Sequence, residues 1–186
     1  MTKTIYLQKI GDIDPGILII LKKNLKWFFK KYRLKVAILP DQFPLLDSEY
    51  ASFKRQYDAS QVKKRLIAHV KNKNYYRILG VMDVDIFFKF KDSVFGVADL
   101  PRNKSFGNAL ISVTRLREEP YREIKNVAQF EQRIFKEAIH ELGHTFGLKH
   151  CENLCVMRLS NSLKEADRKP HDFCETCLKK LNNYLS

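Results

Sequence analysis

The sequence has no apolar run long enough to cross a bilayer. Its longest burst, Ile17 to Leu21, runs straight into Lys22 and Lys23, well short of the roughly twenty residues a spanning helix needs. A secretory pattern is missing too, because Met1-Thr2-Lys3-Thr4-Ile5 leads into alternating residues with neither an apolar stretch nor a small-residue cleavage site. Cysteine is scarce and confined: all four, Cys151, Cys155, Cys174 and Cys177, lie near the C-terminal end. A cytoplasmic, reducing setting is therefore expected, in which clustered cysteines serve metal ions more readily than disulfides. Acidic residues are in deficit, 21 against 34 basic, for a net charge of +13. That surplus fits acidic peptides, nucleic acid or an anionic surface, and a merely solvated surface is the simpler reading. No basic run interleaves with a nucleic-acid recognition motif.

At 186 residues the chain suits one compact unit with a core that needs no disulfides. Alternation from Thr4 toward Gly11 predicts a strand, and Asp14 with Pro15 predicts a helix start. Leu18, Leu21, Leu25 and Phe28 then recur at helical spacing, and Trp27, Phe28 and Phe29 are expected in the core. Val36 to Leu39 completes a strand, helix, strand unit, which places two parallel strands in one sheet. Ser60 is the expected cap of a second helix reaching Lys71, with Val62, Leu66 and Val70 on one face, and His69 near its end has no assigned role. Ile78 to Asp85 and Ala109 to Val113 predict further strands, and Val94 to Ala98 a short edge strand. Asp83 and Asp85 supply too few oxygens for a calcium-like site. Asn126 opens a long helix with a Val127, Phe130, Ile134, Ala138 stripe, and Leu178, Leu181 and Leu185 mark a closing one. Between them, Ser160 to Pro170 has few apolar residues to hold it in place.

Three of the five histidines stand in His140-Glu141-Leu142-Gly143-His144-Thr145-Phe146-Gly147-Leu148-Lys149-His150. Residues four apart on a helix differ by about 6 Å of rise and about 40° of rotation, so His140 and His144 can turn both imidazoles to one ion. Glu141 is about 100° further round, better placed to reach a metal-bound water than to ligate. His150 can join only if the helix ends first, and Gly147 sits where a positive φ is wanted for the chain to turn back. In extended chain neighbouring side chains point to opposite sides, so His150 and Cys151 can serve different ions. Cys151, Cys155 and the Cys174-x-x-Cys177 pair have the composition of a closed zinc site, with a redox dithiol or free buried thiols as the alternatives.

This histidine string, with Met157 soon after, resembles the metzincin clan of zinc metallopeptidases. The order Cys151, Cys155, Met157, Cys174-Glu175-Thr176-Cys177 is similar to the archaemetzincins, as are Gln56 to Ala59, Val94 to Ala98 and Val113 to Leu116. The resemblance implies an α/β (α+β) fold: a mixed twisted sheet with two helices packed on it, an active-site helix and a small C-terminal subdomain. Residues 1–147 would form the first part and 148–186 the second, the latter stapled by a four-cysteine zinc. It implies two Zn²⁺ per chain, a catalytic one on His140, His144 and His150 and a structural one on the cysteines. Glu141 becomes the general base, Met157 the methionine packed beneath the metal, and Val94, Phe95 and Gly96 contacts to an extended peptide. Arg158 and Leu159 follow the methionine, so the tyrosine ligand of some metzincins is missing and a coordination position stays open. The expected substrate is a peptide or protein, cleaved from its N-terminus or internally, and the expected state a monomer without a membrane. The competing reading is a non-catalytic, zinc-stabilised protein that binds nucleic acid or an acidic partner through its basic surface.

Overall fold

The first strand, β1 (Thr4–Ile10), buries Ile5, Leu7 and Ile10 and pairs in parallel on both sides. A computed structural model describes residues 3–101, 103–117, 124 and 126–186. Helix α1 (Pro15–Phe29) follows, with the Asp14 carboxylate accepting the Gly16 N–H at 2.8 Å. The chain returns through β2 (Lys35–Ile38), giving the expected parallel pair. Next come β3 (Tyr50–Ala51), β4 (Gln56–Asp58), α2 (Ala59–Val70), β5 (Arg77–Met82), β6 (Ile86–Phe87), β7 (Gly96–Ala98) and β8 (Gly107–Ser112). The last third holds α3 (Val127–Thr145), α4 (Leu163–Arg168) and α5 (Glu175–Leu185).

The main sheet has the order β2-β1-β5-β8-β7, parallel throughout except for β7, which runs antiparallel to β8 at the edge. Strands β5 and β8 are buried at every position, as expected where helices cover both faces of a sheet. Leu79, Val81, Ala109 and Ile111 meet α1 and α3 on one face, and Ile78, Met82 and Leu110 meet α2 on the other. Cys155, Val156, Met157, Phe173 and Leu181 pack into the α1 and α3 side. No helix among the described residues is long and apolar enough to cross a membrane.

Four local expectations are corrected. Asp58 caps α2, accepting the Ser60 N–H at 2.8 Å, so the helix begins one residue before Ser60. The strand after Ile78 stops at Met82, and each later aspartate is held by an arginine fork. Arg117 bonds Asp83 at 2.7 and 2.6 Å, and Arg115 bonds Asp85 at 2.5 and 2.7 Å. Trp27 is 68% exposed and Val127 61% exposed. Trp27 lies one residue, about 100° of turn, from the buried Phe28, and Val127 opens its helix before the apolar stripe meets the sheet. Finally, the polar interval 160–170 contains α4, docked by polar contacts. Arg133 forks onto Asp167 at 2.7 and 2.8 Å, Gln129 reaches the same carboxylate at 2.9 Å, and Lys136 donates to the carbonyls of Ala166 and Asp167.

Candidate active site

Helix α3 is built with two working faces. Phe130, Ile134, Ala138 and Leu142 are buried against the core, while Glu137, His140, Glu141 and His144 line a cleft of about 630 Å³. Packing of the first face fixes the direction of the second. His140 Nδ1 lies 2.9 Å from the Val156 carbonyl, and His144 Nδ1 2.7 Å from that of Leu148. A carbonyl only accepts, so both Nδ1 atoms carry the proton and both Nε2 atoms present lone pairs. Those two Nε2 atoms face each other at 3.2 Å.

The helix ends as the third histidine requires. Gly147 has φ of +84°, the Leu148 N–H bonds the Gly143 carbonyl at 3.1 Å and the Gly147 N–H that of His144 at 2.9 Å. This paired closure is a Schellman motif, and it turns the chain back over the helix end. One ligand nitrogen from each of His140, His144 and His150 then lies within 4.8 Å of the others. Burial, with the Lys169 charge next, holds His140 well below the usual imidazole range. Burial first, with the charges of His150 and Lys169 adding to it, outweighs the Leu148 hydrogen bond and brings His144 down to about 4. Burial and then Lys91 lower His150. Neutral imidazoles are the form a metal needs.

Glu141 is 4% exposed and its Oε2 has no hydrogen-bond partner. Burial, then the Glu137 carboxylate beside it, raises its carboxyl well above the ordinary range. On the cleft side it presses on β7, where a Cβ added to Gly96 would stand 2.6 Å from Glu141 Cγ and 2.9 Å from Oε1. Only glycine allows that approach. Met157 is fully buried, with Sδ against Gly143 at the place a Cβ would occupy. The methionine therefore packs on the helix between His140 and His144.

Val94, Phe95 and Gly96 line one wall of the cleft, and residues 159–164 with Lys169 the other. The Ser112 N–H bonds the Phe95 carbonyl and the Asp99 N–H that of Asn108, so strand alternation turns the peptide groups of Gly96 and Ala98 outward. The Val94 N–H is taken by the Ile86 carbonyl at 3.3 Å. Ala98 thus belongs with Gly96 at the open edge, a residue the motif reading missed although strand periodicity could have supplied it.

The four cysteine sulfurs form a second cluster, also within 4.8 Å of one another. Cys151 Sγ and Cys174 Sγ are 3.7 Å apart, against about 3.8 Å for two thiolates on one tetrahedral zinc with bonds of about 2.3 Å. Cys155 Sγ accepts N–H bonds from Met157 at 3.4 Å and Cys174 at 3.3 Å. Burial works to raise the Cys174 thiol, but the Cys177 N–H, Asn153 and neighbouring sulfurs outweigh it and bring it to about 6. Burial raises Cys177, with the charge of Cys155 adding to it.

Glu137 and Lys169 are the other residues that motif reading missed. Glu137 stands one helical turn before Glu141, a spacing that could have flagged it. Lys169 Nζ approaches Glu137 Oε2 at 3.6 Å, and nothing in the sequence links the two.

Comparison with known protein families matches residues 5–183 to Peptidase family M54. The chain is similar to an archaemetzincin of Pyrococcus furiosus, 34% identical over 188 residues, covering 100% of this chain and 95% of that protein. Among solved structures, an archaemetzincin of Archaeoglobus fulgidus crystallised with malonate superposes with TM-score 0.78 at 34% identity, covering 95% of this chain and 99% of that one. A zinc-dependent peptidase of Methanocorpusculum labreanum gives TM-score 0.80 at 29% identity, with 96% and 100% covered.

Proposed function

This chain belongs to Peptidase family M54, the archaemetzincins, and is a zinc metallopeptidase; from that membership we propose that Glu141 is its general base. His140, His144 and His150 hold the zinc used in catalysis, and Cys151, Cys155, Cys174 and Cys177 hold a second zinc that only braces the fold. The observation that carries this reading is the 3.2 Å distance between Nε2 of His140 and Nε2 of His144, both presenting lone pairs. Two acceptors at that distance repel, whereas two imidazoles on one tetrahedral zinc stand about 3.4 Å apart.

Zinc bound there supplies a Lewis acid that polarises the scissile carbonyl and acidifies water. The chain's own residues do the rest. Gly96 and Ala98 at the open edge of β7 bond the substrate as an added strand, which lays the scissile amide along the cleft. The Glu141 carboxylate accepts the proton of the water that adds to the carbonyl carbon. It returns that proton to the amide nitrogen as the carbon–nitrogen bond breaks. Met157 holds the histidine-bearing helix from below, and Leu159, where a tyrosine ligand would stand in other metzincins, would offer no donor atom to a bound zinc.

An aminopeptidase must also hold the substrate's α-ammonium on a free carboxylate. Among the described residues, the carboxylates lining the cleft are Glu137 and Glu141, both buried and the first already facing Lys169, so internal cleavage is the mode favoured here. The cleft lies between residues 1–147 and 148–186, which we take as the two subdomains of a monomer. Four metal-ready thiols fit a cytoplasmic setting.

The test is turnover on a broad library of internally quenched peptides. Wild-type protein is expected to cleave, chelator to abolish cleavage with zinc restoring it, and Glu141→Gln to keep both metals while losing at least about 100-fold in kcat. Unimpaired cleavage by metal-loaded Glu141→Gln would refute the assignment of the base.

A further inference from the structure

We propose that the buried Lys169–Glu137 pair is a positioning device for Glu141, holding the base's carboxylate in the orientation that proton transfer requires. The inference rests on Glu141 being the base and adds two nearly buried residues that act through it.

The first observation is burial without full satisfaction. Lys169 is 3% exposed and Glu137 5% exposed. Their charged ends stand 3.6 Å apart, and Nζ makes no hydrogen bond. Removing an ammonium and a carboxylate from water costs several kcal/mol per ion, and a pair this loosely matched repays it poorly. The pair is not needed to dock α4, because Arg133, Gln129 and Lys136 already hold Ala166 and Asp167 on the preceding turns of α3.

The second observation is what the pair touches. Glu137 is one turn from Glu141 on the same helix face, and both carboxyl groups line the cleft. On its other side Glu141 meets Gly96 of β7. The base therefore lies between the Gly96 backbone, which it approaches closely, and a carboxyl group whose own place is set by Lys169. Two carboxylates in contact repel when both are charged, and a cation behind the outer one offsets that repulsion. Without Lys169 the side chain at 137, whether Glu or Gln, has no anchor, and Glu141 loses the neighbour that keeps it in place beside the histidines. A displacement of about 1 Å at a reacting group costs on the order of 100-fold in rate.

Three variants test this: Lys169→Met, Lys169→Arg and the double variant Glu137→Gln/Lys169→Met. The last removes both charges together and leaves no lone buried ion to unfold the protein. For Lys169→Met and the double variant, the expected result is two zinc ions per chain, kcat lowered about 100-fold and KM within about threefold. Lys169→Arg is expected to recover most of kcat. A second readout is independent of turnover. A peptide hydroxamate, whose N–O–H group hydrogen-bonds the base while its oxygens take the metal, should bind about tenfold more weakly to zinc-loaded double variant. Simple chelators should strip zinc at the wild-type rate. The proposal is overturned if the folded, zinc-loaded double variant keeps kcat and hydroxamate affinity within twofold, or if zinc is lost in parallel with activity. If Glu141→Gln proves inactive while the double variant is fully active, only this inference falls; if Glu141→Gln is itself active, the assignment of the base falls first.

Discussion

Gly147→Ala separates two accounts of the helix end by the sign of its effect. Were residue 147 simply helical, alanine would stabilise the protein by about 1 kcal/mol, the difference in helix propensity. In the structure the residue has φ of +84°, and a Cβ there would meet nothing nearer than Tyr184 Cδ2 at 3.6 Å. That is ordinary contact, so sterics with neighbours contribute little and the backbone term stands alone. An L-residue held in the left-handed region costs about 1–2 kcal/mol. For a chain of this size that is a fall in melting temperature of roughly 2–8 °C. The same strain pulls on the turn that delivers His150, so zinc affinity of the histidine site should fall by about 5- to 30-fold if most of the cost is relieved in the metal-free state. Gly147→Asn, which tolerates positive φ, should cost clearly less. The assays are thermal unfolding with and without zinc and competition against a chelator of known affinity. A Gly147→Ala protein as stable as wild type or more stable would refute the reasoning, as would an asparagine variant that fares worse than alanine.

Gly143→Ala fails for a different reason, because its Cβ would collide with Met157 Sδ; a loss of about 1–3 kcal/mol is expected, shrinking in a Met157→Ala background, as a double-mutant cycle of melting temperatures would show. Cys174→Ser should lower the metal content from two ions to one and the melting temperature with it, while the histidine site keeps its zinc by elemental analysis. Hydrogen bonding to Arg133 holds the Asp167 carboxyl below its ordinary value against the opposing effect of burial. A depressed folded-state pKa contributes stability that is present above the unfolded value near about 3.9 and lost as pH falls through the folded one. Asp167→Asn should therefore cost about 1–3 kcal/mol at neutral pH and flatten the loss of stability below about pH 4, measured by denaturant unfolding across pH.

The features legible in sequence were those whose cause is local. Asp14 before Pro15, the alternation of β1 and the glycine that must end α3 before His150 all act within a few residues of themselves. So does the metal-ready chemistry of His140, His144 and His150, because a helix and one turn suffice to bring them together. Residues whose surroundings come from far along the chain were hidden. Trp27 sits in an aromatic-rich stripe, and only the packing of α1 shows that its direction is solvent. Asp83 and Asp85 read as an acidic pair until Arg115 and Arg117 are brought to them. The interval 160–170 carries no apolar pattern because α4 docks through Arg133, Lys136 and Asp167, contacts that leave no periodic trace. Lys169 was invisible for the same reason: a lysine in a polar stretch reads as surface, and here it is buried against Glu137.

The central claim is that a glycine-ended helix gathers three imidazoles on one zinc that stays open to a cleft beside Glu141. Anomalous scattering from crystals, recorded above and below the zinc edge, tests it most directly. The account predicts two peaks per chain, one bonded to Nε2 of His140 and His144 and to His150 with a solvent-facing position, the other enclosed by four sulfurs. A single peak at the cysteines, or a protein side chain in the fourth position of the histidine site, would contradict it.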